Sequence, residues 1–70
     1  MVYEKDAIIR AIEEKGSELE KDERDVIRLR YGVGVDSPYS LVETAKELGM
    51  PITKVRALET SALRILVENN

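Results

Sequence analysis

Cysteine, histidine, tryptophan and phenylalanine are all missing from this 70-residue chain, and proline occurs only twice. Without cysteine or histidine there can be no disulfide, no Cys/His zinc site and no histidine general base. With three tyrosines as its only aromatics, the chain must build its core from aliphatic side chains, within an apolar share of 43%. So short a chain buries only about 60% of the surface its unfolded form exposes, which leaves room for one domain over residues 1–70 and none for a second core. No apolar run approaches the roughly 18 residues needed to span a bilayer. The opening Met-Val-Tyr-Glu-Lys-Asp lacks the apolar segment of a signal peptide. The expectation is a cytoplasmic protein with no membrane partner, and no feature of the sequence calls for a cofactor or a metal.

An enzyme is also disfavoured, since no nucleophile, base and orienting group can be assembled without His or Cys on so small a scaffold. Glu18, Glu20, Asp22, Glu23 and Asp25 form an acidic run, but no calcium-type loop surrounds them, and Lys21 and Arg24 interrupt them. They read as a solvated helix start, where carboxylates meet the positive end of the helix dipole. The formal net charge is -3, which opposes nucleic-acid binding only if it is spread evenly. It is not: residues 1–39 hold seven basic against ten acidic side chains, and residues 40–70 hold four of each.

The periodicity predicts an all-α fold, a small four-helix bundle. Ala7, Ile8, Ala11 and Ile12 recur at helical spacing in a first helix from Tyr3 to Lys15, with Ile9 widening the apolar face and Gly16 placed to stop it. A second helix runs from Glu20 to Tyr31, with Val26, Ile27 and Tyr31 on one side, Leu19 as a hydrophobic staple ahead of it, and Gly32 able to close it in the left-handed conformation. Residues Gly32 to Tyr39 form a loop punctuated by two glycines and a proline. This is no phosphate loop, because it has neither a Lys-Ser/Thr ending nor a full Gly-x-Gly-x-x-Gly. Ser40-Leu-Val-Glu43 fits a capping box and starts a third helix that ends near Leu48 at Gly49. After Met50 and Pro51 a fourth helix carries Val55, Leu58, Ala62 and Leu66 inward, and Asn69-Asn70 should fray.

Residues from about 40 to 67 follow the logic of a helix-turn-helix, two helices crossing about a short turn. Ala45 keeps the crossing close, Gly49 supplies the positive φ of the turn, and Leu48, Met50, Val55 and Leu58 lock the contact. An ordinary helical hairpin shares much of this pattern. Thr44 stands where an aliphatic residue is normal, and its hydroxyl can bond back one turn, which allows a half-buried position. Met50 is expected in the core and Ile52 on the surface.

Three segments carry a resemblance. Leu19-Glu-Lys-Asp-Glu-Arg-Asp-Val-Ile-Arg-Leu-Arg-Tyr-Gly32 looks like the Leu-x-x-x-Glu-Arg-x-Val-Leu-x-Leu-Arg-Tyr/Phe-Gly signature of region 4, the C-terminal domain of primary-type bacterial RNA polymerase sigma factors. Tyr39-Ser-Leu-Val-Glu-Thr-Ala-Lys-Glu-Leu-Gly49 resembles its Thr-Leu-Glu-Glu-Val/Ile-Ala/Gly-x-x-Leu-Gly. Val55-Arg56, Leu58-Glu59 and Ala62-Leu63-Arg64 match Val-Arg-Gln-Ile-Glu-x-x-Ala-Leu-x-Lys-Leu. The similarity covers about Leu19 to Leu66 without a gap, and Tyr3 to Gly16 would be the helix that precedes the signature.

The resemblance implies a domain whose last helix lies in the major groove of double-stranded promoter DNA at the minus-35 element, while other surfaces hold the flap of core RNA polymerase. An anti-sigma or activator protein is a further class of partner. It places Thr53, Lys54, Arg56, Ala57 and Arg64 on the DNA side, and Arg28 and Arg30 near the phosphate backbone. The departures lie where the family reads bases. Its usual Ser/Thr-Arg-Glu-Arg-Val-Arg-Gln is Pro51-Ile52-Thr53-Lys54-Val55-Arg56-Ala57 here. Bidentate donors thus give way to Ile52, Thr53 and Ala57, which can offer thymine a methyl contact. Asp22 replaces a common arginine and would repel phosphate, and Ser61 stands in place of the usual lysine. A rival function follows from the same residues: a sigma-derived protein-interaction domain that keeps its polymerase- or regulator-binding surface and has lost specific DNA reading.

Overall fold

The structure, a computed structural model, describes residues 4–68. Tyr3 and the terminal Asn69 and Asn70, to which a helix start and a frayed end were assigned from sequence, lie outside them. Four helices follow in order, α1 (Lys5–Lys15), α2 (Lys21–Tyr31), α3 (Leu41–Leu48) and α4 (Ile52–Leu63), with no strand among the described residues. A 3-10 turn, Gly16–Glu18, joins α1 to α2, and α4 runs on into a π turn, Arg64–Glu68.

Helix ends follow local chemistry. The Ser40 hydroxyl accepts from the Glu43 amide at 3.1 Å, and the Glu43 carboxylate accepts from the Ser40 amide at 2.8 Å, so the capping box forms at the start of α3. Both α2 and α3 close on a left-handed glycine, Gly32 with φ 72° and Gly49 with φ 65°. Beyond each, the next amide reaches back to the helix, Val33 to the Arg28 carbonyl and Met50 to the Ala45 carbonyl. These are Schellman closures. Gly16 differs: α1 does end at Lys15, but Gly16 keeps right-handed angles (φ -58°, ψ -29°) and passes the chain into the 3-10 turn.

Packing divides the interior into two clusters. Ile8, Leu19, Ile27, Ala62 and Leu66 form one, flanked by Ala11, Ile12, Tyr31, Leu63 and Ile65. Val26, Ala45 and Val55 form the other, with Leu41, Leu48, Met50 and Leu58 packed against it. Leu19 therefore sits in the first cluster beside Ile27. It is not a staple to the fourth position of α2, which is Arg24, whose guanidinium instead donates to the Leu19 carbonyl at 2.8 Å. Thr44 is fully buried rather than half-buried, and its hydroxyl donates to the Ser40 carbonyl at 2.8 Å.

Two polar ties hold the helices in register. Glu23 belongs to the acidic run expected to be solvated, yet it is only 6% exposed. Its carboxylate accepts from the Glu20 amide at 2.8 Å and from the Ser61 hydroxyl of α4 at 2.5 Å, so a buried charge is matched by two donors. Arg30, expected near phosphate, faces inward as well. Its Nη1 donates to the Tyr39 carbonyl at 2.8 Å and its Nε to Glu59 at 3.1 Å. Tyr39 precedes the cap of α3 and also donates its amide to the Leu29 carbonyl at 2.8 Å. One guanidinium on α2 thus fixes where α3 begins relative to α4.

Gly49→Ala should lower stability by about 1 to 2 kcal/mol, the penalty of a left-handed Cβ. Gly32→Ala should lower it further, because the added Cβ would stand 3.0 Å from the Pro38 nitrogen; urea denaturation of both variants orders them. Arg30→Met should lower stability by about 1.5 to 3 kcal/mol, the range for hydrogen bonds to charged groups. A change within about 0.5 kcal/mol, as for an ordinary surface side chain, would contradict the tie described above.

Candidate nucleic-acid interface

Pro51 precedes α4 in an extended conformation (φ -64°, ψ 150°), and its carbonyl accepts from the amides of Lys54 and Val55, which launches the helix directly from the turn. From there the 3.6-residue period sorts the side chains. Val55 and Ala62 are fully buried, and Leu58 is half-buried between them. On the opposite side Thr53, Ala57, Thr60 and Arg64 recur at intervals of four, three and four and are all exposed. Ile52, Lys54 and Arg56 flank that line and are exposed too.

The helix-turn-helix residues meet in the second cluster. Ala45, Leu48, Met50, Val55 and Leu58 pack there with Leu41, and Val26 of α2 closes it from behind. Gly49 turns the chain between α3 and α4. Met50 is partly buried in this cluster, and Ile52 is 39% exposed at the first turn of α4. Ala45 is 8% exposed, close enough to the crossing that a larger side chain would press on α4.

The electrostatics of this side differ from those of α1 and the start of α2. No carboxylate occurs between Glu47 and Glu59, while Lys54 and Arg56 do. At the start of α2 two basic residues are matched locally. Lys21 pairs with Asp25 at 2.7 Å, and that carboxylate, by its hydrogen bond and then its charge, holds the lysine above its usual pKa. Arg24 donates to backbone carbonyls at Gly16 and Leu19.

The residues assigned to DNA from sequence therefore divide three ways. Thr53, Lys54, Arg56, Ala57 and Arg64 share the exposed side of α4. Arg28 is exposed but lines a hollow with Asp25, Leu29, Val33, Val35 and Glu47 that includes no α4 residue. Arg30 is engaged by Tyr39 and Glu59. Sequence reading passed over Thr60, although it lies three residues after Ala57 on the same line. It also passed over Val42 and Lys46, one turn apart on α3, which with Ala45, Gly49, Met50, Pro51 and Ile52 line an open groove beside α4.

Residues 17–67 match the family Sigma-70, region 4. Over 50 residues, 71% of this chain, the sequence is 40% identical to an RNA polymerase sigma-C factor of Nostoc sp. (strain PCC 7120 / SAG 25.82 / UTEX 2576). The matched stretch spans only 12% of that relative's length. No solved structure gives a significant match. With the family match covering most of its length, its signature residues at the helix ends and its two last helices crossing about Gly49, the chain belongs to the sigma-70 region 4 family.

Proposed function

We propose that this domain acts in bacterial transcription initiation without catalysing a reaction, laying the exposed side of α4 in the major groove of promoter DNA at a minus-35 element. The observation that carries this reading is that side itself: Lys54 and Arg56 are exposed on the first turns of α4, where no carboxylate occurs before Glu59, and Arg64 is exposed just beyond the helix end. Phosphate neutralisation by such cations supplies most of the affinity of a DNA-binding module, and the first turns of a recognition helix are the part that reaches base edges. Arg28 is a secondary phosphate contact, and Arg30 acts by positioning α3 and α4 rather than by touching DNA.

Base discrimination should be weaker than in relatives with arginine, glutamate and glutamine on this helix. A good bidentate contact is worth about 1 to 3 kcal/mol of discrimination, and Ile52, Thr53 and Ala57 can make none. Core RNA polymerase is the second partner, in keeping with the similarity to an RNA polymerase sigma-C factor. Its flap, and an anti-sigma or activator protein in turn, would meet surfaces away from α4. Cytoplasmic residence follows from that role.

The concentration of acid in residues 1–39 and the loss of the base-reading arginine and glutamine favour one alternative, a protein-interaction domain that meets polymerase or a regulator and leaves DNA alone. Salt-dependent binding separates the two. Fluorescence anisotropy with a duplex carrying a minus-35 element should show binding that weakens steeply with salt. Lys54→Ala and Arg56→Ala should each weaken it about equally on specific and scrambled duplexes and reduce the salt slope by about one unit. Absence of binding at low salt would favour the protein-interaction domain, and unchanged binding in both variants would remove these residues from the interface.

A further inference from the structure

The major-groove edge of a base pair offers hydrogen-bond acceptors, donors and, on thymine, a 5-methyl group. The side chains presented beside the turn suit the last of these. Ile52 is 39% exposed and Val42 is 50% exposed, and both line the open groove with Ala45, Met50 and Pro51. Beyond the groove, Thr53 and Ala57 are exposed on the same helix, and each carries a methyl group. Alanine and the threonine methyl are among the side-chain groups that pack against the thymine methyl.

Charge identifies what covers this groove. Lys46 is the one charged residue among those that line it, with Glu43 and Glu47 exposed on either side of it along α3, and the exposed first turns of α4 beyond Ile52 carry Lys54 and Arg56 and no carboxylate before Glu59. An apolar groove with a lysine on its rim, continuous in sequence with a helix start whose only charges are cations, complements a polyanion whose reading edge carries methyl groups. We propose that Ile52, with Val42 beside it and Thr53 and Ala57 along the helix, covers thymine 5-methyl groups, so that the domain selects DNA by methyl contact instead of bidentate hydrogen bonding. This rests on α4 facing DNA, and it names the chemistry that α4 reads. Lys46, Lys54 and Arg56 hold the backbone, and the apolar side chains decide which base edge is tolerated beneath them.

The test replaces thymine with deoxyuridine, which keeps every hydrogen-bonding group of the base and lacks only the methyl. Anisotropy titrations of the full chain would compare a short duplex with an A·T-rich centre against the identical duplex carrying deoxyuridine. Affinity should fall about fourfold for each methyl covered, the equivalent of about 0.8 kcal/mol per buried carbon, with the salt slope unchanged. Ile52→Ala and Val42→Ala, both at exposed positions that leave the two apolar clusters intact, should bring the thymine-to-uracil ratio toward one while helical circular dichroism stays at the wild-type level. Equal affinity for the two duplexes, or a thymine preference that persists undiminished in both variants, overturns the methyl reading and leaves α4 as a phosphate-binding helix. Failure to bind any duplex at low salt overturns the DNA reading itself, and the methyl reading with it.

Discussion

Val26 and Ile27 are adjacent on α2, and each is wholly buried in a different apolar cluster. Adjacent residues on a helix point about 100° apart, so α2 can satisfy both only by lying in the angle between two groups of partners. Its principal contact is α4, which answers with Val55 in one cluster and Ala62 in the other. Each fully buried aliphatic side chain contributes about 1.5 to 3 kcal/mol. In a domain of this size, whose net stability is small, neither cluster is dispensable. The first joins α1 and the π turn to this pair, and the second joins α3.

That arrangement explains why one side of α4 is left to face solvent. With Val55, Leu58 and Ala62 drawn inward, the helical period leaves Thr53, Ala57, Thr60 and Arg64 outward. The polar ties keep the side in place without occupying it. Ser61 leans toward Glu23 on one flank, and Glu59 meets Arg30, which also holds the carbonyl of Tyr39 just ahead of α3. The residues that carry the likeness to region 4, among them Glu23, Arg24, Arg30, Gly32 and Glu59, are mostly engaged in this frame. The strongest departures, Pro51 to Lys54 and Ala57, fall on exposed positions. The frame and the exposed start of α4 are thus physically separate, and the residues there can change without unfolding the frame.

Local features were readable in the sequence because their chemistry is local. Ser40 and Glu43 lie three residues apart, and Gly32 and Gly49 each end a helix by their own backbone freedom. The apolar period likewise indicated Val55, Ala62 and Leu66 as inward residues. Ties across the fold were not readable. Glu23 meets Ser61 across 38 residues and Arg30 meets Glu59 across 29, and nothing near either residue distinguishes a buried carboxylate or guanidinium from a solvated one. Arg30 and Glu59 were visible as parts of a motif, but their contact with each other depends on how α2 crosses α4. The widening of the chain into a π turn at Arg64–Glu68 left no mark in the apolar spacing, which continues through Leu66 as a single helix would.

In the proposed function, the outward side of α4 is the surface that meets DNA. A residue-resolved NMR titration with a minus-35 duplex, repeated with a scrambled duplex, tests it most directly. Saturable shifts should run from Ile52 to Arg64 and reach Val42 and Lys46, with α1 and the acidic start of α2 unmoved. Shifts centred on α1 and α2, or no shifts at low salt, would contradict it.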